Sequence, residues 1–338
     1  MLAVQIIRYQ NIKMYKLENI KDIHLELTSK CQARCPMCPR RINGGLLNPL
    51  FDPTEISLEK FKEWFPISVI KQLNSLFMCG NLGDPIIAQD CLVIFQYLRE
   101  INPDIRLSMH TNGSARNLQW WQGLAHSKVK VTFGIDGLID THALYRIGTD
   151  YKTILNNARE FINAGGEAEW HMLVFKHNEH QIEECQKLSE NIGFKNFTSK
   201  HTSRFKNNKF NVLDENGKTI NILHPTSRSI NLTTNVSSTE ASAIQCKAQK
   251  YRQLYVAADG TISPCCWLDF SWQLPNQDNR INYMDVVGVF PNLNSQSLED
   301  IFISGYFKII EDTWAVNPLI ECSKQCGSFD KLGAQFVN

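Results

Sequence analysis

No apolar run in this chain approaches the roughly 18 residues of a membrane-crossing helix, so no such span is expected. Neither charge dominates: 35 basic side chains stand against 34 acidic ones, a net of +1, and nothing in that balance points to nucleic acid or an anionic membrane as partner. The opening residues, Met-Leu-Ala-Val-Gln-Ile-Ile-Arg, lack a signal-peptide pattern, so a cytoplasmic location is expected. Cysteine is too sparse for a disulfide scaffold: there are eleven in 338 residues, and they are clustered, as metal binding in a reducing compartment requires. A hydrophobic share of 43% suffices for substantial cores, and the length suggests about two domains.

The first cluster is the most informative feature. Cys31, Cys35 and Cys38 form a Cys-x3-Cys-x2-Cys loop within Glu26-Leu-Thr-Ser-Lys-Cys-Gln-Ala-Arg-Cys-Pro-Met-Cys-Pro-Arg40, directly after a strand-like segment. Three thiolates in one loop can hold three corners of a cuboidal iron–sulfur cluster and leave the fourth iron open. A zinc knuckle short of one ligand and three unrelated core cysteines are the alternatives; zinc sites usually pair cysteines as Cys-x2-Cys and close the tetrahedron.

Between residues 20 and 200, β-like runs alternate with amphipathic helical runs, the pattern of parallel βα units. Strands are expected over Ile23–Leu27, Leu76–Cys79, Ile105–His110, Val129–Ile135, Ala168–Phe175 and Phe194–Ser199, enough for a barrel-like sheet. A helix should start at Ser57 and stop at Pro66, where the ring removes a donor. Cys91 shares a helical face with Phe95 and Leu98, and Cys185 with Ile182 and Leu188, so both read as core. Gly165-Gly166 and Gly193 are expected to close their helices as left-handed caps.

Barrels of this kind place chemistry in the loops after their strands. The first such loop holds the cysteines. The second is Cys79-Gly-Asn-Leu-Gly-Asp-Pro85, whose Gly80 and Gly83 let backbone amides approach a ligand and whose Asp84 offers a carboxylate to an amine. His110-Thr-Asn-Gly113, Phe133-Gly-Ile-Asp-Gly137 and Tyr145-Arg-Ile-Gly148 follow. Asn-Gly and Asp-Gly are ordinary turn pairs; their order after successive strands is what carries weight.

In that order of motifs, residues 20 to 200 resemble the radical S-adenosylmethionine superfamily. The resemblance implies an α/β fold, a partial (β/α)6 TIM-like barrel, in which Cys31, Cys35 and Cys38 hold a [4Fe-4S] cluster. The amine and carboxylate of S-adenosylmethionine chelate the open iron. Reductive cleavage then yields a 5′-deoxyadenosyl radical that takes hydrogen from a substrate, with an external reductant such as flavodoxin or ferredoxin. Gly80, Gly83 and Asp84 match the segment that contacts the cofactor amine. Asn112 and Asp136 lie in the motifs that shape the ribose and adenine site, and Arg146 is the expected partner of the cofactor carboxylate. Three positions depart from the family pattern: Met37 replaces an aromatic, Asp84 is one methylene shorter than Glu, and Gly134 replaces a hydroxyl residue.

Residues 201–245 are rich in Asn, Ser and Thr. A hairpin is expected over residues 210–223 with its turn at Asn216-Gly217, and the run Asn231-Leu-Thr-Thr-Asn-Val-Ser-Ser-Thr239 reads as a linker or lid. Cys246 then precedes Gln253-Leu-Tyr-Val-Ala-Ala-Asp-Gly-Thr-Ile-Ser-Pro-Cys-Cys-Trp267, where Asp259-Gly260 turns a hairpin that ends at Cys265. Cys322 and Cys326 follow a helical stretch, residues 298–310. These four cysteines complete a four-thiolate set, which suits a [4Fe-4S] cluster or a zinc ribbon. Their arrangement resembles the C-terminal SPASM and twitch domains of radical enzymes, and the resemblance implies one auxiliary [4Fe-4S] cluster.

The expected organisation is therefore a barrel over 1–200, a linker or lid over 201–245 and a small α/β auxiliary-cluster domain over 246–338. Cys266 stands where sulfatase-maturing relatives have an acidic base. It can exchange hydrogen with substrate, replace Cys265 as ligand, or pack against Trp267; Asp259 and Asp269 are weaker base candidates. The resemblance implies modification of a peptide or protein, with oxidation of a small molecule as runner-up and a nonenzymatic iron–sulfur or zinc module as the reading from another class.

Overall fold

The computed structural model of the chain describes residues 16–202, 204–205, 207–227, 244–272 and 286–327. Six parallel strands alternate with helices: β1 (Asp22–Leu25), α1 (Leu58–Trp64), α2 (Ile67–Gln72), β2 (Ser75–Met78), α3 (Cys91–Ile101), β3 (Arg106–Thr111), α4 (Leu118–His126) and β4 (Val129–Gly134) come first. Then follow α5 (His142–Tyr145), α6 (Tyr151–Asn163), β5 (Ala168–Val174), α7 (Ile182–Ile192) and β6 (Asn196–His201). Parallel neighbours need a crossover, and a helix supplies each one. The six expected strands are present with ends shifted by one or two residues.

Alternation along the strands sets the layers. Ile23, Leu25, Leu76, Met78, Leu107, Met109, Val131, Phe133, Trp170 and Met172 are buried under the helices, with Cys91, Phe95, Leu98 and Cys185 packed opposite. Residues of the other parity line the inner face, where the rings of His24 and Phe77 (4.9 Å), Phe77 and His110 (4.9 Å), and His110 and His171 (5.5 Å) touch in succession. Local signals act as the sequence predicts. Ser57 caps α1 by accepting from Lys60 N–H, Asp150 caps α6 by accepting from Thr153 N–H, and Gly193 ends α7 at φ 101°.

After β6 come the antiparallel pair β7 (Phe210–Leu213) and β8 (Thr219–Leu223), with Gly217 in the turn at φ 77°. This hairpin packs on the cysteine loop: Met37, Tyr145, Phe175, Val212 and Leu223 form a second small core, so the side chain that replaces an aromatic at position 37 fills a hydrophobic seat. The run 231–239 lies outside the described residues.

The C-terminal part contains α8 (Lys247–Tyr251), β9 (Gln253–Val256), β10 (Ile262–Ser263), α9 (Cys266–Trp272), α10 (Leu298–Ile303), α11 (Tyr306–Thr313) and α12 (Ile320–Cys326). The expected single helix over 298–310 is two helices, broken at Gly305, whose φ of 84° cannot continue a right-handed helix. β9 pairs parallel to β1, so the hairpin extends the barrel sheet into eight strands in the order β10-β9-β1-β2-β3-β4-β5-β6. The auxiliary part and the barrel therefore share one sheet and one core, to which Leu254, Val256, Ile262, Leu298, Ile301, Phe307 and Ile310 all belong.

Candidate active site

The cysteine loop leaves the C-terminal end of β1 and is shaped by backbone bonds: Cys38 N–H donates to Cys35 O (3.0 Å), Arg41 N–H to Cys38 O (3.1 Å) and Arg34 N–H to Ile147 O (2.7 Å). Arg40 turns back under the loop, where it is 4% exposed, and its guanidinium donates to the carbonyls of Cys31 (2.5 Å) and Ala33. All three thiols are free, and Cys35 lies within electrostatic reach of both Cys31 and Cys38. Burial pushes Cys31 up to about 12 and Cys35 up as well. A coordinated metal reverses this, because a coordinating thiol is deprotonated outright.

Among the described residues, no three His, Cys, Asp or Glu side chains converge tightly enough for a single metal ion. A cuboidal cluster asks for a looser set, since each cysteine binds its own iron at its own corner. Three free thiols in one bonded loop fit three corners of such a group.

Two polar side chains reach the loop from later segments, one just after β3 and one just after α5. Asn112 points its amide Nδ2 at Cys31 Sγ (3.6 Å) and takes a bond on Oδ1 from Gln32 Nε2 (2.8 Å). Asp84 sets that position: its carboxylate accepts from Asn112 N–H (2.7 Å), Thr111 hydroxyl (2.8 Å) and Ile86 N–H (3.2 Å). Arg146 brings Nη1 to 4.0 Å from Cys35 Sγ and donates from Nε to Asp136 Oδ2 at 2.5 Å, while Asp136 Oδ1 accepts from Leu173 N–H at 2.6 Å. Burial raises the Asp136 carboxyl and the Arg146 guanidinium beside it opposes that rise. A Cβ at Gly134 would stand 2.7 Å from Arg146 Nη2, so the arginine occupies the space that a hydroxyl residue at 134 would take.

In the glycine loop two amides bond within the protein: Leu82 N–H (2.8 Å) and Gly83 N–H (3.0 Å) both donate to Glu26 Oε1. The glycines serve close packing: a Cβ at Gly83 would fall 1.6 Å from Thr28 O, and one at Gly80 would fall 2.6 Å from Glu26 Oε1.

The four later cysteines also assemble. Cys246 immediately precedes α8, Cys265 follows β10, and Cys322 and Cys326 lie one turn apart on α12. Gln245 N–H bonds Cys326 O (3.0 Å). The contact between the Cys246 and Cys326 thiols lowers Cys326 and raises Cys246, and both Cys265 and Cys322 lie within electrostatic reach of Cys326. Cys266 opens α9 just outside this set. Its carbonyl accepts from Asn81 Nδ2 (3.1 Å), and its thiol, raised chiefly by burial, feels Cys265, Cys79, Asp269 and Glu26.

Residue patterns did not mark Glu26, Asn81 or Tyr255 as site members. The available signal for Glu26 was an acidic residue just after the first strand, at the end of the barrel where such folds place their chemistry.

Residues 25–188 match the model of the radical SAM superfamily, and residues 246–327 match that of SPASM, an iron–sulfur cluster-binding domain. The chain thus carries a radical SAM domain followed by a SPASM domain. Its cofactors are accordingly a [4Fe-4S] cluster with S-adenosylmethionine, and auxiliary iron–sulfur chemistry in the SPASM part. Among solved structures, Streptococcus suis SuiB bound to S-adenosylmethionine is similar with a TM-score of 0.55 at 14% identity, covering 84% of this chain and 65% of SuiB. This radical SAM protein thus spans just under two thirds of SuiB's length. The structure of anSMEcpe with bound AdoMet is similar with a TM-score of 0.51 at 20% identity, covering 85% of this chain and 81% of that one. Likeness at such identities shows the fold. No curated protein matches the sequence. No helix among the described residues is long and apolar enough to cross a membrane.

Proposed function

We propose that this radical SAM protein is an enzyme that abstracts hydrogen from a peptide or protein substrate. Cys31, Cys35 and Cys38 are its ligands for the [4Fe-4S] cluster that carries S-adenosylmethionine, and Cys246, Cys265, Cys322 and Cys326 its ligands for one auxiliary [4Fe-4S] cluster. The observation that carries the reading is the presence of two separate thiol sets on one sheet: three in the loop after β1, and four around a hairpin whose first strand pairs with β1. When bound, the first cluster and S-adenosylmethionine supply one-electron cleavage of a carbon–sulfur bond and hydrogen abstraction from an unactivated carbon.

The chain's own residues bind and orient. Arg146 offers the guanidinium that suits the cofactor carboxylate, held in place by Asp136. Asn112 is aimed at the cluster loop by Asp84, so Asp84 acts by positioning. Gly83 lets the glycine loop lie against Thr28. A peptide or protein is favoured as substrate because SuiB, of the same fold, has been crystallised bound to precursor peptide SuiA. A one-electron donor such as flavodoxin or ferredoxin and a cytoplasmic location complete the reading.

Anaerobic reconstitution tests it. About eight irons per chain and release of 5′-deoxyadenosine with S-adenosylmethionine and a reductant are expected. Zinc in either thiol set, or intact clusters without cleavage, would overturn it.

A further inference from the structure

Trp314 follows α11, and its indole N–H is buried with no oxygen or nitrogen to receive it. Buried donors are nearly always paired in folded proteins, so an orphaned one asks what it is for. What this one faces is sulfur: Trp314 donates to the thiol of Cys322, in the first turn of α12. Both side chains, with Cys265, pack against the main core. The link between the two helices is bonded at each end. Val316 N–H (3.2 Å) and Asn317 N–H (2.9 Å) donate to Thr313 O, and Ser323 N–H donates to Leu319 O (3.0 Å), which sets the indole against α12.

A neutral thiol is a weak acceptor and satisfies that N–H poorly. A cysteine that ligates iron is a thiolate, and its negative charge makes the same contact a charge-assisted hydrogen bond. The orphaned N–H therefore fits Cys322 as a ligand better than Cys322 as a free thiol, and this observation is made on the tryptophan rather than on the cysteines.

The other three sulfurs of the set are served by the backbone. Cys246 receives the N–H of Gln249, Cys326 that of Lys247, and Cys265 those of Trp267 and Leu268. Those donors belong to the starts of α8 and α9, so the fold itself supplies them. Trp314 differs in kind, because its donor sits on a side chain and a substitution can remove it while the backbone stays. Hydrogen bonds to the sulfurs are one of the levers that set the potential of an iron–sulfur cluster. Reduction adds negative charge that spreads onto the ligand sulfurs, so an N–H aimed at one of them stabilises the reduced form more than the oxidised form.

We propose that Trp314 acts through Cys322: its indole N–H orients the Cys322 thiolate and raises the reduction potential of the auxiliary [4Fe-4S] cluster held there. This inference rests on the assignment of Cys322 as a ligand made above.

A redox titration of the reconstituted full chain, followed by electron paramagnetic resonance, reads that potential without turnover. The auxiliary signal is the one that persists when Cys31, Cys35 and Cys38 are replaced by Ala. W314F removes the N–H. At the poise that half-reduces the wild-type centre, the ratio of reduced to oxidised cluster should fall about threefold or more in W314F, a shift of about 28 mV at 59 mV per tenfold for one electron. Placing 3-benzothienylalanine at position 314 keeps the outline of the indole with sulfur in place of N–H, and it should give the same drop. An unchanged potential with this isostere overturns the proposal, because a drop in W314F alone then belongs to lost packing; an unchanged potential in W314F overturns it as well. If W314F fails to fold or to hold its iron, the isostere decides alone. C322S separates the two claims. If it leaves auxiliary iron and potential as in the wild type, Cys322 is no ligand, and the assignment falls together with the proposal. If C322S changes them and the substitutions at position 314 do not, the assignment stands and the proposal alone is overturned.

Discussion

Replacing Asp136 by Asn tests the most tightly built part of the site. Asp136 is fully buried, and the Arg146 side chain opposite is 19% exposed, with their ion pair at 2.5 Å. Asn keeps the size, and its carbonyl can still accept from Leu173 N–H, so the damage is confined to the arginine side. There an amide Nδ2 or an uncharged oxygen replaces the carboxylate and leaves a largely buried guanidinium without its counter-charge. Removing one partner of a buried pair costs about 3–5 kcal/mol. Partial exposure of Arg146 places the expectation at the lower end, about 3 kcal/mol. With a urea slope of about 2–3 kcal/mol/M, the denaturation midpoint should fall by about 1 M. Arg146→Met should cost a similar amount and add a pH signature. Without the guanidinium, the folded pKa of Asp136 rises further, so the folded variant holds a proton that the unfolded chain loses. Its stability relative to wild type should then decline as pH rises above the ordinary carboxylate range. The double variant should lose less than the sum of the two, with a coupling of about 0.5–3 kcal/mol. A loss below about 0.5 kcal/mol for Asp136→Asn, the size of an ordinary surface change, would refute the argument.

Replacing Cys31, Cys35 and Cys38 together by Ala should abolish 5′-deoxyadenosine release and lower iron from about eight to about four per chain; full iron content would show that the loop is not a ligand set. Gly83→Ala places a Cβ 1.6 Å from Thr28 O, so the loop must shift; a stability loss of about 1–3 kcal/mol by urea denaturation and weaker S-adenosylmethionine binding by calorimetry are expected. Asp150→Ala removes the cap of α6 and should cost about 1 kcal/mol. Its hydrogen bonds to Thr153 hold the Asp150 carboxyl below the usual range, so the cap's contribution is present at neutral pH and fades in acid, and the wild-type advantage in thermal unfolding should shrink as pH falls.

Strands and helices were legible wherever one period dominated. The alternation through Ile23, Leu76, Leu107 and Val131 located the sheet, and the stripe of Cys91, Phe95 and Leu98 separated core thiols from ligand candidates. Both cysteine sets stood out because their members cluster in sequence or flank a turn. Arg146 stood out through the family resemblance; its bond to Asp136 did not, since nine intervening residues conceal whether two side chains converge. The packing of the glycine loop was not legible for a related reason. Glycine signals close approach without saying what approaches, and here the neighbours are Thr28 and Glu26. Gly305 shows the same limit: the apolar pattern of 298–310 runs through it, and only its positive φ divides the helix.

The pairing of β9 with β1 explains why these long-range partners matter most. Because the SPASM part enters the sheet beside the strand that precedes the cysteine loop, Tyr255 lies next to His24 in register, with its hydroxyl on Glu26 two residues further along β1's exit. The same β1 exit leads into the first thiol set, and the same hairpin leads into Cys265. A displacement of the hairpin by one residue would turn Tyr255 to the opposite face and bring Leu254 or Val256, both now in the shared core, toward Glu26. The register that buries Leu254 and Val256 is therefore also the one that sets the phenol between two carboxyls and fixes the auxiliary cysteines relative to the barrel mouth. Core packing and site geometry are specified by a single choice of strand pairing.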